Sequence, residues 1–68
     1  MPLSDWELWA VANRLVEEDG RRASLKVAER LLELEAAGDM EGHITWLMIG
    51  ERVTKLLRQK PAPGEAVQ

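Results

Sequence analysis

Apolar side chains recur along the chain every three or four residues, which is the spacing of one face of an α-helix. The first segment with this pattern covers residues 5–19. Its apolar stripe consists of Leu8, Val11, Ala12, Leu15 and Val16. Ser4 precedes the segment as a predicted N-cap, and Glu7 stands where it completes a capping box. Gly20 follows, and glycine is the residue type that most often ends a helix. We therefore predict a first helix over residues 5–19.

The second segment with helical spacing covers residues 24–37 and ends before Gly38. It carries two apolar ridges. One ridge consists of Leu25, Ala28 and Leu32, and the other consists of Val27, Leu31 and Leu34. Together they cover nearly half of the helix circumference, and a helix with so wide an apolar face usually contacts two neighbours. We therefore expect this helix to be the central one.

The third segment covers residues 40–60, with Asp39 as its predicted N-cap and Pro61 as its stop. Its main stripe consists of Trp46, Ile49, Val53, Leu56 and Leu57. Gly42 and Gly50 lie four residues on either side of Trp46, although a glycine inside a helix costs about 1 kcal/mol relative to alanine. We expect each glycine to allow another backbone to approach closely, or to make room for the indole.

The three segments predict an all-α protein, a compact three-helix domain over residues 1–60. The connections are short, near Gly20 to Ala23 and at Gly38 to Asp39, which favours antiparallel or sharply angled neighbours. Residues 61–68 contain Pro and Gly without periodicity, and we predict a disordered C-terminal tail there. No segment has a convincing strand pattern.

Composition removes many functions from consideration. The chain has 68 residues with no Cys and one His, so disulfides, thiolate nucleophiles and paired-His metal sites are excluded. We expect no cofactor and no metal. The longest uncharged apolar run, residues 44–50, is too short to span a bilayer, and the N-terminus lacks the basic residues of a secretory leader. We therefore expect a cytoplasmic protein that does not bind membranes.

Three elements of the chain are familiar as a set. They are the residues from Asp5 to Ala10, the residues from Val27 to Arg30 followed by Leu34, and the segment from Gly38 to Gly42 with Trp46. The chain thereby resembles a family of small uncharacterised proteins, a domain of unknown function found mainly in alphaproteobacteria. The resemblance covers about residues 5–56 and implies a bacterial, cytoplasmic, all-helical protein. It implies no established activity and no functional residues.

His43 and Glu35 are the best candidates for catalytic or ligand-binding side chains. His43 is the only imidazole, yet no Ser–His–Asp or Cys–His grouping can be built around it, so we expect a partly exposed helix residue. Glu35 lies between the two apolar ridges but in the last turn of its helix, where a side chain can reach water. The alternative is a buried Glu35 paired with Arg52, Arg14 or His43.

Two clusters of charge have both a structural and a functional interpretation. The acidic cluster Glu17, Glu18 and Asp19 is suited to a hard metal ion, but consecutive helical residues point about 100° apart, so pairing with Arg21 and Arg22 is favoured. The basic set consists of Arg21, Arg22, Lys26 and Arg30. In two helices joined by a tight turn it suggests a helix-turn-helix, but three glutamates interrupt the set and the net charge is -3. We do not expect nucleic-acid binding.

The strongest functional signal is surplus apolar surface. Met40, Ile44 and Leu47 point roughly 100–140° away from the main stripe of the third helix, and Trp6 lies outside the stripe of the first. Contiguous exposed patches of this kind mark interfaces. We therefore predict a non-enzymatic interaction protein that forms a homodimer through these four residues. The alternatives are a small regulator that docks a larger protein or DNA, and an enzyme whose site, with His43 and Glu35, is completed across a dimer.

Overall fold

The computed structural model describes residues 3–59, and every regular element in that range is helical. Helix α1 covers Asp5–Asp19, one turn of 3₁₀ helix covers Gly20–Arg22, α2 covers Ala23–Ala37 and α3 covers Met40–Gln59. The all-α class is confirmed, and each predicted helix boundary inside residues 3–59 lies within one residue of the observed one, whereas the predicted end of the third helix at residue 60 lies outside the described residues. Because the 3₁₀ turn leaves no gap between α1 and α2, the chain forms two continuous helical stretches, 5–37 and 40–59, where separate helices joined by a loop were expected. The predicted stop at Pro61 and the predicted tail lie outside the described residues.

The start of α1 confirms the predicted capping box. The Glu7 amide donates to Oγ of Ser4 over 3.2 Å, and the Ser4 amide donates to Oε1 of Glu7 over 2.9 Å. At the other end Gly20 has φ 57° and ψ -131°, and its amide donates to the carbonyl of Val16. Two of the orphan amides at the helix start and one carbonyl at its end are thereby satisfied within the chain.

The turn between α2 and α3 consists of two caps placed back to back. Gly38 adopts the left-handed conformation at φ 73°, and its amide donates to the carbonyl of Glu35 over 3.1 Å. The Asp39 amide donates to the carbonyl of Leu34 over 2.9 Å, which completes a Schellman motif. Asp39 then caps α3, because its Oδ1 accepts the Gly42 amide over 2.9 Å. Two residues are thus enough to reverse the chain.

The central helix is α3, so the expectation that the second helix takes this place is wrong. Both α1 and α2 pack against α3, while they touch each other little. The core consists of Leu8, Ala12, Val16, Ala23, Val27, Ile49 and Val53. Only one of the two apolar ridges of α2 faces this core, since Val27 and Leu34 are buried whereas Leu25 and Leu32 are exposed. A wide apolar face therefore did not imply a second neighbour within the chain.

The glycines of α3 allow α2 to approach, but through side chains. A Cβ at Gly50 would lie 2.9 Å from Cγ1 of Val27, and one at Gly42 would lie 3.0 Å from Cδ2 of Leu34. The expectation of close backbone approach or of room for the indole is therefore corrected. The missing side chains make room for buried α2 side chains, which holds the two helices close together.

Candidate interaction surface

The three predicted interface residues of α3 share one solvent-facing stripe. Spacings of four and seven residues place Met40, Ile44 and Leu47 within an arc of about 60°. All three are exposed. The same stripe continues towards the C-terminus with Glu51, Lys55 and Arg58, which are exposed charged residues. The apolar part of the stripe is therefore confined to the N-terminal half of α3.

Trp6 belongs to a different helix. Its indole is 76% exposed, and its position in α1 is about 120° from the middle of the buried stripe. The side chain of Arg52 pairs with the carboxylate of Asp5, so the first turn of α1 lies beside the middle of α3. Trp6 is thus an exposed aromatic side chain on α1, whereas the other three predicted residues form one cluster on α3.

An exposed apolar ridge on α2 joins this surface, and the predicted interface did not include it. The ridge consists of Leu25, Ala28 and Leu32, all of which are exposed. Its signal is present in the sequence, where the double ridge of the second helix is plain. The width of the double ridge favoured a second neighbour within the chain, and in the described residues no such neighbour covers this ridge.

A groove runs between α2 and α3 and connects the ridge with the α3 stripe. Ala28 and Leu31 line it from α2, and Leu47 and Gly50 line it from α3, around a volume of about 340 Å³. A smaller hollow of about 180 Å³ lies at the turn between the helices. Ala28 belongs to both the ridge and the groove, and Leu47 belongs to both the stripe and the groove, so the three features form one surface.

Glu35 and His43 both line the smaller hollow, beside Leu34 and Met40. Glu35 is exposed and His43 is half-buried, and the described part of the chain contains no buried polar or charged residue. The alternative of a buried Glu35 paired with Arg52, Arg14 or His43 is therefore wrong, because Glu35 is exposed. Its last-turn position leaves its carboxylate in water. The two arginines proposed as its partners bind other carboxylates, Arg52 that of Asp5 and Arg14 that of Glu18.

The acidic cluster at the end of α1 is held by bases from α1 and α2. Nε of Arg14 lies 3.0 Å from Oε2 of Glu18, and Nζ of Lys26 lies 3.6 Å from Oδ2 of Asp19. Arg14 and Lys26 were not among the partners that the sequence predicted for this cluster. Within residues 3–59, no group of three His, Asp or Glu side chains is arranged to hold a metal ion.

Two members of the basic set are engaged by neighbouring side chains. Nη1 of Arg30 lies 2.9 Å from Oε1 of Glu33, and its Cζ lies 6.0 Å from the centroid of the Trp46 ring. Lys26 faces Asp19, as described above. These basic groups are partly neutralised on the surface of α2, which disfavours a phosphate-binding face there.

Comparison with known proteins identified one family model that matches the chain. The model of a family of unknown function (DUF6961) matches residues 4–61. No curated protein and no solved structure matched the chain. Among the described helices, none combines the length and the apolar character that crossing a membrane requires.

Proposed function

The chain belongs to this family of unknown function, and from that premise we propose that it is a non-enzymatic helical interaction module that self-associates. The observation that carries the proposal is the exposed cluster of Met40, Ile44 and Leu47 on one face of α3. Three large apolar side chains at helical spacing are the usual pattern of a helix that packs against a partner. Met is also enriched in interface cores. The proposal includes a bacterial cytoplasmic location, which the resemblance to alphaproteobacterial proteins supports.

Small size gives a second reason to propose self-association. A chain of about 60 residues buries only about 60% of the surface that its unfolded form exposes, so its core alone supplies little stability. The core of this protein contains several small side chains, Ala12, Ala23 and Val53 among them. Burial of the α3 cluster against a second copy would add apolar area to what the monomer buries.

A small regulator that docks a larger protein is the second candidate. It would use the same α3 cluster, which would then be covered only in the complex. An enzyme is less favoured, because Glu35 and His43 share only a shallow hollow and have no nucleophile beside them. DNA is disfavoured because Lys26 and Arg30 already face acidic side chains.

Sedimentation velocity or light scattering on the full chain tests self-association. We expect a species of twice the 7.7 kDa chain mass at micromolar concentration. Ile44→Glu and Leu47→Glu should each shift the equilibrium towards monomer, because each places a charge in the interface. Ala10→Glu is the matched control, since Ala10 is an exposed helical residue on α1. Trp6→Glu tests whether the first helix takes part.

Circular dichroism distinguishes dissociation from unfolding in these variants. A wild-type chain that remains monomeric from micromolar to millimolar concentration contradicts self-association. In that case, recovery of one specific larger protein from the native host, lost in Ile44→Glu and retained in Ala10→Glu, would support the second candidate.

A further inference from the structure

We infer that the occupant of the α2–α3 groove is a second copy of this chain, which inserts its α2 ridge (Leu25, Ala28 and Leu32) into that groove. The inference rests on the proposed self-association and specifies the surface that mediates it. It differs from the sequence-based interface in two ways. It makes α2 an equal contributor with α3, and it leaves Trp6 outside the contact.

The exposed apolar residues of this surface can form the centre of a dimer interface. Leu25, Leu32, Met40, Ile44 and Leu47 are 60, 66, 70, 51 and 48% exposed, so together they expose the equivalent of about three whole residues. A standard interface buries about 800 Å² on each partner, from about 20–30 residues. These five residues would supply its apolar centre, and the polar rim of the groove would supply further area.

The surface has a shape that is complementary to the same surface on a second copy. The ridge carries two large side chains, Leu25 and Leu32, seven residues and hence about 10.5 Å apart along α2. Four of the eight residues that line the groove beside it are small, namely Ser24, Ala28, Gly50 and Thr54. Large side chains from one helix packing between small ones on another is the usual geometry of helix pairs.

A two-fold axis lets each copy supply both parts. In an isologous interface the same patch is used twice, so the ridge of each copy can occupy the groove of the other. Ala28 belongs to both ridge and groove, so the inferred arrangement brings it close to Ala28 of the other copy. The result is a four-helix arrangement built from two copies of α2 and α3.

The charges around the surface are compatible with self-docking. Glu29 and Glu35 on α2 and Glu51, Lys55 and Arg58 on α3 are all exposed, so both signs are present around the surface. A patch of one sign would repel its own copy across a two-fold axis, whereas a mixed rim does not. The same mixture disfavours a nucleic acid, which requires a basic face.

Substitutions on the ridge test the inference separately from the proposed function. Leu25→Glu and Leu32→Glu should each weaken dimerisation at least about 100-fold in sedimentation equilibrium. The double variant Leu25→Ala with Leu32→Ala should weaken it at least about tenfold, and it should fold normally because both side chains are exposed in the monomer. Ala10→Glu and Trp6→Ala should leave the dissociation constant unchanged.

A single introduced cysteine gives a second readout, because the chain has none of its own. Ala28→Cys should form a disulfide-linked dimer on mild oxidation of the full chain. Ala10→Cys, on α1, should do so at least tenfold more slowly. Cross-linking at residue 28 does not depend on any loss of stability.

Three results would overturn the inference. A dimer that survives the Leu25 and Leu32 substitutions but dissociates in Ile44→Glu or Leu47→Glu places the interface on α3 alone, which leaves the proposed function standing. Equal cross-linking rates at residues 10 and 28 would show that residue 28 does not lie at the dimer contact, which also leaves the proposed function standing. A strictly monomeric wild-type chain overturns both the inference and the proposed self-association, whether or not a different protein binds the groove.

Discussion

The guanidinium of Arg52 lies over the ring of Trp9, with its Cζ 5.4 Å from the ring centroid. The Arg52 side chain is only 15% exposed and also pairs with the carboxylate of Asp5. Its Nη1 donates to the carbonyl of Met48 over 3.1 Å, while its Nε is buried without a hydrogen-bond partner. A single side chain of α3 therefore contacts both of the first two turns of α1, so it helps to fix how these helices pack.

Arg52→Ala should lower the free energy of unfolding by about 1–3 kcal/mol. The variant loses a cation–π contact worth about 0.5–1 kcal/mol and the packing of the aliphatic stem against the indole. The ion pair adds little, because Asp5 is mostly exposed, and exposed pairs contribute about 0–1 kcal/mol. Urea denaturation at one fixed protein concentration measures the change.

Arg58→Ala is the matched control for this prediction, since Arg58 is an exposed residue in the last turn of the same helix. It should change the free energy of unfolding by no more than about 0.5 kcal/mol. Equal losses from Arg52→Ala and Arg58→Ala would mean that the contact with Trp9 does not stabilise the fold.

The helix ends were predictable because each one is encoded locally. Ser4 with Glu7 and the pair Gly38 and Asp39 form their caps from residues at most five apart, so the sequence alone reveals them. The choice of central helix was not predictable in this way. An apolar ridge shows how much apolar surface a helix can bury, but the three-dimensional packing decides which neighbouring helix buries it. Arg52 and Asp5 are 47 residues apart, and no periodicity predicts such a pair.

The candidate interaction surface was likewise predictable from the sequence only in part. Helical spacing alone indicated that Met40, Ile44 and Leu47 point away from the main stripe, and all three are exposed. The ridge that contains Leu25 and Leu32 was equally visible, but the width of the apolar face of α2 favoured a second neighbour within the monomer. Its exposure follows from the packing of α1 against α3, which leaves the outer side of α2 without a neighbour among residues 3–59.

Gly42→Ala should destabilise the protein by about 1–2 kcal/mol, although alanine is favoured over glycine in a helix by about 1 kcal/mol. A Cβ at this position would lie 2.7 Å from Oδ2 of Asp39 and 3.0 Å from Cδ2 of Leu34. The Asp39 carboxylate would have to move, and the cap that it forms with the Gly42 amide would be lost. Thermal unfolding monitored by circular dichroism measures the result.

Asp39→Ala provides the comparison, because it removes the same cap without the added Cβ. It should cost about 1 kcal/mol. If Gly42→Ala instead raises the stability by the full helix-propensity gain, the Asp39 and Leu34 side chains relax freely and the steric argument is wrong.

Gly20 and Gly38 should respond unequally to alanine. Nothing lies within 4 Å of a Cβ at either position, so the cost comes from the backbone alone. Gly38 has φ 73° and ψ 20°, a left-handed conformation that costs an L-residue about 1–2 kcal/mol. Gly20 combines φ 57° with ψ -131°, a region that non-glycine residues adopt only with strain of about 1–3 kcal/mol. We therefore expect Gly20→Ala to be the more destabilising of the two in urea denaturation.

Asparagine separates the two glycine positions further. Gly38→Asn should cost less than Gly38→Ala, since asparagine tolerates the left-handed conformation at helix ends. Gly20→Asn should bring no such relief, because ψ there is far from the left-handed helical value. Equal responses at both positions would show that the α1–α2 junction adjusts its backbone when Gly20 is replaced.

Glu35→Ala should leave the free energy of unfolding unchanged or raise it by a few tenths of a kcal/mol. The Glu35 side chain is exposed and stands in the last turn of α2, where the helix dipole disfavours a negative charge by about 0.3–1 kcal/mol. Glu35→Lys should be more favourable still, and the gain should shrink as salt screens the charge.

Val53→Ala is the contrasting variant. Val53 is fully buried, so its truncation should cost about 1–3 kcal/mol. A loss beyond about 2 kcal/mol in Glu35→Ala would mean that this carboxylate has a buried partner in solution.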